Sequence, residues 1–207
     1  MSPVSEQLHL EPAGTDATLD ASIQWGGEEG PDPTLVHAIT VPLGPVRLGD
    51  ESDADEPLLR LHTIRFDVRS WRELAGRSFS FPNVVREIEA EGESHPVYDI
   101  YGSLRLGDEY HQVTMSGVAF DEFDGGRVTA TLVGRVDSVA QPPRFDPTDF
   151  TCAATLTVGP VTVRGDLAST TVPTVAQAQE LAQQLLRLED YRPVRERGGS
   201  VILEPAG

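Results

Sequence analysis

The chain has no lysine. All 16 of its basic residues are arginine, set against 33 aspartates and glutamates in 207 residues, for a formal net charge of −17. A chain without lysine can form no Schiff base and carries no lysine-bearing phosphate loop. Nucleic acid and anionic membrane surfaces both require a positive footprint that neutralises phosphates, so neither is an expected partner. Cysteine is almost as scarce. Cys152 stands alone, which rules out an intrachain disulfide and favours a reducing compartment. Aromatics make up 6% of the chain. No run of about 18 apolar residues occurs, and the first ten residues hold neither a basic leader nor a signal-peptide core, so a soluble cytoplasmic protein is expected.

The usual signatures of chemistry are missing as well. His9, His37, His62, His95 and His111 stand at no zinc-site spacing, and there is no cysteine pair and no His-Glu-x-x-His to accompany them. A serine nucleophile elbow and a Gly-x-Gly-x-x-Gly loop are equally absent. No catalytic residue, metal or cofactor is therefore assigned. The acidic stretch from Gly49 to Pro57 offers Asp50, Glu51, Asp53, Asp55 and Glu56 as oxygen donors, but it lacks the glycine that turns a calcium loop and reads as a solvated charge run.

What the chain does have is period-two hydrophobicity. Leu19, Ala21, Ile23 and Trp25 alternate with Asp20, Ser22 and Gln24, and Leu35, His37, Ile39 and Val41 are read as the next alternating set. Between Leu59 and Val68 the buried parity slips, as a bulge would make it. Ile100, Leu104 and Leu106 face one way, while Tyr101, Ser103 and Arg105 face the other. Around Gly117 the parity changes again, which also predicts a bulge. Val128, Ala130, Leu132 and Val136 point inward from the next strand, which Asp124-Gly-Gly126 joins to its predecessor as a hairpin. Cys152, Ala154, Leu156 and Val158 continue the pattern, and Gly159-Pro160 reads as the turn of a last hairpin. Residues 83–96, rich in glutamate, read as an unpatterned solvated excursion.

One helix stands out. Thr174-Val-Ala-Gln177 is a capping box, and Val175, Ala178, Leu181, Ala182, Leu185 and Leu188 follow at helical spacing, predicting a helix over about 174–190. The expected architecture is mainly β: an antiparallel β-sandwich or flattened barrel with this C-terminal helix packed on the sheet. Residues 1–15 form an irregular entry segment and 16–207 a single domain.

Leu74-Ala-Gly-Arg-Ser-Phe-Ser-Phe-Pro82, Tyr98-Asp-Ile-Tyr-Gly-Ser-Leu-Arg-Leu106, His111-Gln-Val-Thr114, Val118-Ala-Phe120 and the strand from Arg127 to Asp137 together resemble a family of uncharacterised bacterial all-β proteins. The resemblance implies the fold and no activity. Small acidic members of that family are similar in character to immunity proteins of bacterial toxin systems.

The functional expectation is a non-catalytic acidic interaction module, of immunity or antitoxin type, that binds a basic partner protein. Tyr101 and Arg105, outward on one strand, and the acidic residues Asp50, Glu51, Asp53, Asp55 and Glu56 are the expected contact residues. The alternative is a β-barrel or sandwich holding an apolar small molecule against Ile100, Leu104, Val128 and Leu132. A third reading, a hydrolase or isomerase, requires His62, His95 and His111 to converge with scattered carboxylates.

Overall fold

A computed structural model of the chain describes residues 8–26, 32–48, 56–82, 86–90, 93–97, 101–140, 142–165, 173–197 and 200–206, with backbone only at 86–90, 93–97 and Tyr101. In chain order its strands are β1 (Leu8–Leu10), β2 (Thr18–Trp25), β3 (Thr34–Pro42), β4 (Leu58–Ile64), β5 (Ser78–Ser80), β6 (Arg86–Ala90), β7 (Glu93–Val97), β8 (Tyr101–Leu106), β9 (Glu109–Asp124), β10 (Arg127–Asp137), β11 (Thr148–Gly165), β12 (Arg195–Arg197) and β13 (Ser200–Leu203). The helix α1 runs over Val175–Leu185. No helix among the described residues is long and apolar enough to cross a membrane.

The strands close on themselves in the order β10, β9, β8, β4, β3, β2, β11 and back to β10. The mainly antiparallel, barrel-like architecture expected from the alternation is therefore present, with one departure. β2 runs parallel to β11, as does β1. Short connections argue for antiparallel neighbours, but they do not govern strands that lie at opposite ends of the sequence. A ring of seven strands cannot alternate direction all the way round, so at least one parallel pair is unavoidable. It falls where the N-terminal chain meets β11. Leu8 to Leu10, in a segment expected to be irregular, is thereby drawn into the sheet against Phe150 to Cys152.

The bulges fall where the parity slipped. Between β3 and β4, His37 pairs with Ile64 and Ile39 with Leu61, leaving an extra residue on β4, where Thr63 adopts a left-handed φ of 61°. Between β9 and β10 the register shifts beside Gly117. The Gly125-Gly126 turn joins these strands with φ of 56° and 82°, the mirror-image backbone that suits strand twist. Gly159-Pro160, by contrast, is not a hairpin turn. β11 continues through it with a bulge, pairing with β10 before it, with β13 after it and with β2 on both sides. A side chain at Gly159 would meet the Asp20 carboxylate on β2, which occupies the space a Cβ would take. Residues 86–90 and 93–97, expected to be unpatterned, form the hairpin β6–β7, hydrogen-bonded to no other described strand.

Two apolar cores result. The ring encloses the larger one, with Ile39, Leu59, Leu61, Leu104, Met115, Ala130, Leu132, Phe150 and Leu156 all fully buried. Past the ring, β2, β11 and β13 extend as a short sheet whose Ile23, Val161, Val163, Val201 and Leu203 pack under Ala178, Leu181 and Ala182 of α1. The capping box at Thr174 is present, with the Gln177 amide N–H donating to the threonine hydroxyl at 3.3 Å and the Gln177 side chain accepting the Thr174 N–H at 3.0 Å. The helix ends five residues short of the expected limit. Leu186 turns into the core as an extended residue and a separate 3-10 turn follows at Leu188–Asp190.

A second 3-10 turn, Trp71–Leu74, latches the two cores together. Ser70 caps it by accepting the Arg72 N–H. Trp71 Nε1 donates to the Asp190 carbonyl at 3.3 Å, and Arg72 bonds the Asp190 carboxylate at 3.0 Å and the Ala206 carbonyl at 2.9 Å. Arg69 donates to the carbonyls of Gln183 and Gln184, two of the groups that the end of α1 leaves without intrahelical partners.

Candidate partner-binding face

β4, β8 and β9 are neighbours in the ring, and their outward residues form rows across it. Leu58 on β4 lies opposite Arg105 on β8, which lies opposite Tyr110 on β9. Tyr110 is 59% exposed, the most exposed large apolar side chain among the described residues. Exposed tyrosine offers rigid contact area at small entropic cost, the property that makes it common at binding hot spots.

Arg105, an expected contact residue, is engaged with its own chain. Its guanidinium donates to the Glu56 carbonyl at 3.1 Å, and Glu56 holds a left-handed φ of 49°. A non-glycine residue persists in that conformation only where its surroundings hold it there. Arg105 thus ties Glu56, the last residue of the acidic stretch, to the edge of β8. The side chain of Tyr101 and the residues Asp50, Glu51, Asp53 and Asp55 lie outside the described parts. Tyr101 itself is placed by register, opposite His62 on β4. The parity of Tyr110, opposite to that of the buried His111 and Val113, marks it as outward, a signal present in the sequence.

The arginines are largely turned inward on the chain's own acceptors. Besides Arg69, Arg72 and Arg105, Arg77 donates to the Asp67 carbonyl, Arg187 pairs with Glu73 at 2.7 Å, and Arg144 pairs with Glu109 at 2.6 Å. Arg192, Arg195 and Arg197 share the single carboxylate of Glu204. Other carboxylates are left facing water, among them Asp121, Glu122 and Asp124 at the end of β9.

Two of the three histidines that the hydrolytic reading requires face opposite sides of the sheet. His62 faces outward from β4, with its pKa lowered by partial burial and then by the neighbouring Arg60. His111 is fully buried inside the ring against Phe145, and His95 belongs to the separate β6–β7 hairpin. Leu104, Val128 and Leu132, expected to line a ligand cavity, are members of the main core cluster, and Ile100 lies outside the described residues. No group of metal-ligating side chains is found among the described residues.

Burial sets the remaining titrations. His37 is held down at about 4 by desolvation, against a hydrogen bond to the Ile64 backbone that pulls the other way. The Cys152 thiol is pushed up to about 11 by burial. Tyr191 rises to about 12, chiefly through burial, with a hydrogen bond from the Trp71 backbone opposing and Asp190 and Glu73 adding to the rise.

Compared with models of known protein families, with curated proteins and with solved structures, the chain has no match.

Proposed function

We propose that this chain is a bacterial, cytoplasmic, non-catalytic interaction module that masks a basic surface on a partner protein, in the manner of an immunity protein or antitoxin. The observation that carries the reading is the disposition of charge. A net −17 is spread over a chain in which many of the described arginines meet internal acceptors, so the field presented to solvent is acidic. Such a field accelerates encounter with a basic surface and repels nucleic acid and anionic membrane. Tyr110, paired across the sheet with Arg105, supplies the apolar anchor around which the charges act.

The test is capture of the partner by tagged protein from its own organism's lysate, followed by native mass spectrometry across a salt series and repeated with Tyr110→Ala. One stoichiometric basic protein is expected, released as salt rises and bound about tenfold or more weakly by the variant, the ordinary cost of removing an anchor. A wild-type chain that emerges bare at low salt, or a partner indifferent to both salt and Tyr110, overturns the reading.

A further inference from the structure

The seam between the two cores contains one small cavity, of about 10 Å³, lined by Leu19, Ala21, His37, Trp71, Val158, Gly159, Val161 and Tyr191. Its walls are apolar apart from two side chains. His37, on β3, is 6% exposed, and its Nδ1 has no hydrogen-bond partner. The ring's bond to the Ile64 backbone favours the protonated form, so a ring N–H donates to the Ile64 carbonyl. With Nδ1 unpartnered, that donor is Nε2 and Nδ1 presents a lone pair. Tyr191 also lines the cavity, and its hydroxyl oxygen accepts from the Trp71 N–H, since that bond favours the phenolate, so the group's remaining capacity as a donor is its O–H.

A hydroxyl donor and an unpartnered imidazole acceptor lining one void of one-water size, at the seam of two apolar cores, define a hydration site. We infer that a single ordered water occupies this cavity, accepting from the Tyr191 hydroxyl and donating to His37 Nδ1. The chain of bonds then runs from the Trp71 N–H through Tyr191, the water and His37 to the Ile64 carbonyl. It crosses from the latch of the C-terminal layer into the ring. It also ends on the residue that follows Thr63, whose left-handed φ of 61° is a strained conformation for a β-branched side chain. The water thus joins the two cores and helps to pin the bulge that shifts the register of β4. A donor to Nδ1 fixes the imidazole as its neutral Nε2–H tautomer.

The experiment is solution NMR of the full chain, reading magnetisation transfer from long-lived water to the His37 ring protons and to the Tyr191 hydroxyl, together with the nitrogen shifts of the His37 ring. The wild type is expected to show a water contact to both residues and an Nδ1 shift of a hydrogen-bonded acceptor. Tyr191→Phe removes the donor and should abolish the contact while the Nε2–H resonance persists. A folded wild type without the water contact overturns the inference. So does a folded Tyr191→Phe that keeps it unchanged, because the water would then not depend on Tyr191. If Tyr191→Phe fails to fold, the wild-type spectrum decides alone.

Discussion

His37 makes the stability of this protein depend on acid in a calculable way. Its folded-state pKa of about 4 lies below the ordinary 6.5 because charging the ring would place a cation in the apolar surroundings of Phe66, Trp71, Leu19 and Val161. The unfolded chain takes up the proton first. Stability attributable to the neutral ring is therefore complete above about pH 6.5 and is lost as the pH falls from there towards 4. Over the whole window the loss approaches about 3 kcal/mol, and linkage gives about 2 kcal/mol by about pH 5. The perturbation that isolates this is His37→Phe, which keeps an aromatic ring against Phe66, 4.9 Å away between centroids, and removes the titration. Urea unfolding of both proteins at about pH 8 and about pH 5 subtracts every other titrating group. The wild type is expected to lose about 2 kcal/mol more than the variant between the two conditions. Equal losses would refute the reasoning, since they would mean that the folded protein protonates His37 as easily as the unfolded chain.

Other outcomes follow from single positions. Thr63→Gly relieves a left-handed β-branched residue and should raise stability by about 0.5–1 kcal/mol in a urea melt, the steric relief outweighing the added chain entropy. Gly134→Ala would bring a methyl group to 2.5 Å from the Thr114 carbonyl oxygen and 2.8 Å from the Phe150 ring, costing about 2–3 kcal/mol by the same assay. Thr174→Ala breaks the capping box at the start of α1 and should cost about 1 kcal/mol, read as a lowered thermal midpoint. Cys152, buried and with its thiol pushed up to about 11, should resist an aromatic disulfide reagent at about pH 8 until the chain is unfolded, whereupon one thiol per chain should react.

Much of the fold could be read from residue types because its determinants are local. Alternation placed Val128, Ala130, Leu132 and Val136 inward on β10, and all four are buried. Parity slips marked the bulges at Thr63 and Gly117, and the capping box marked the start of α1. The misreadings share a cause. Gly159-Pro160 looks like a turn, but β2 and β13 supply partners on both sides that keep β11 extended through it. Residues 86–90 and 93–97 lack alternation of the buried kind and still pair with each other. For the candidate site, the parity of Tyr110 and the charge imbalance were visible in the sequence. The hold of Arg105 on Glu56 was not, because it joins residues 49 positions apart.

The sequence by itself determined the β class, the strand faces, the single capped helix and the acidic character, since each depends on side-chain period, turn chemistry or composition within a few residues. Only the tertiary structure decided the closure of the ring. That step pairs β2 in parallel with β11, more than a hundred residues away, and an odd ring requires such a pair without any local pattern announcing where it will fall. Closure also sets the seam, where His37, Trp71 and Tyr191 meet from three distant segments and where burial, rather than residue type, fixes the chemistry of each.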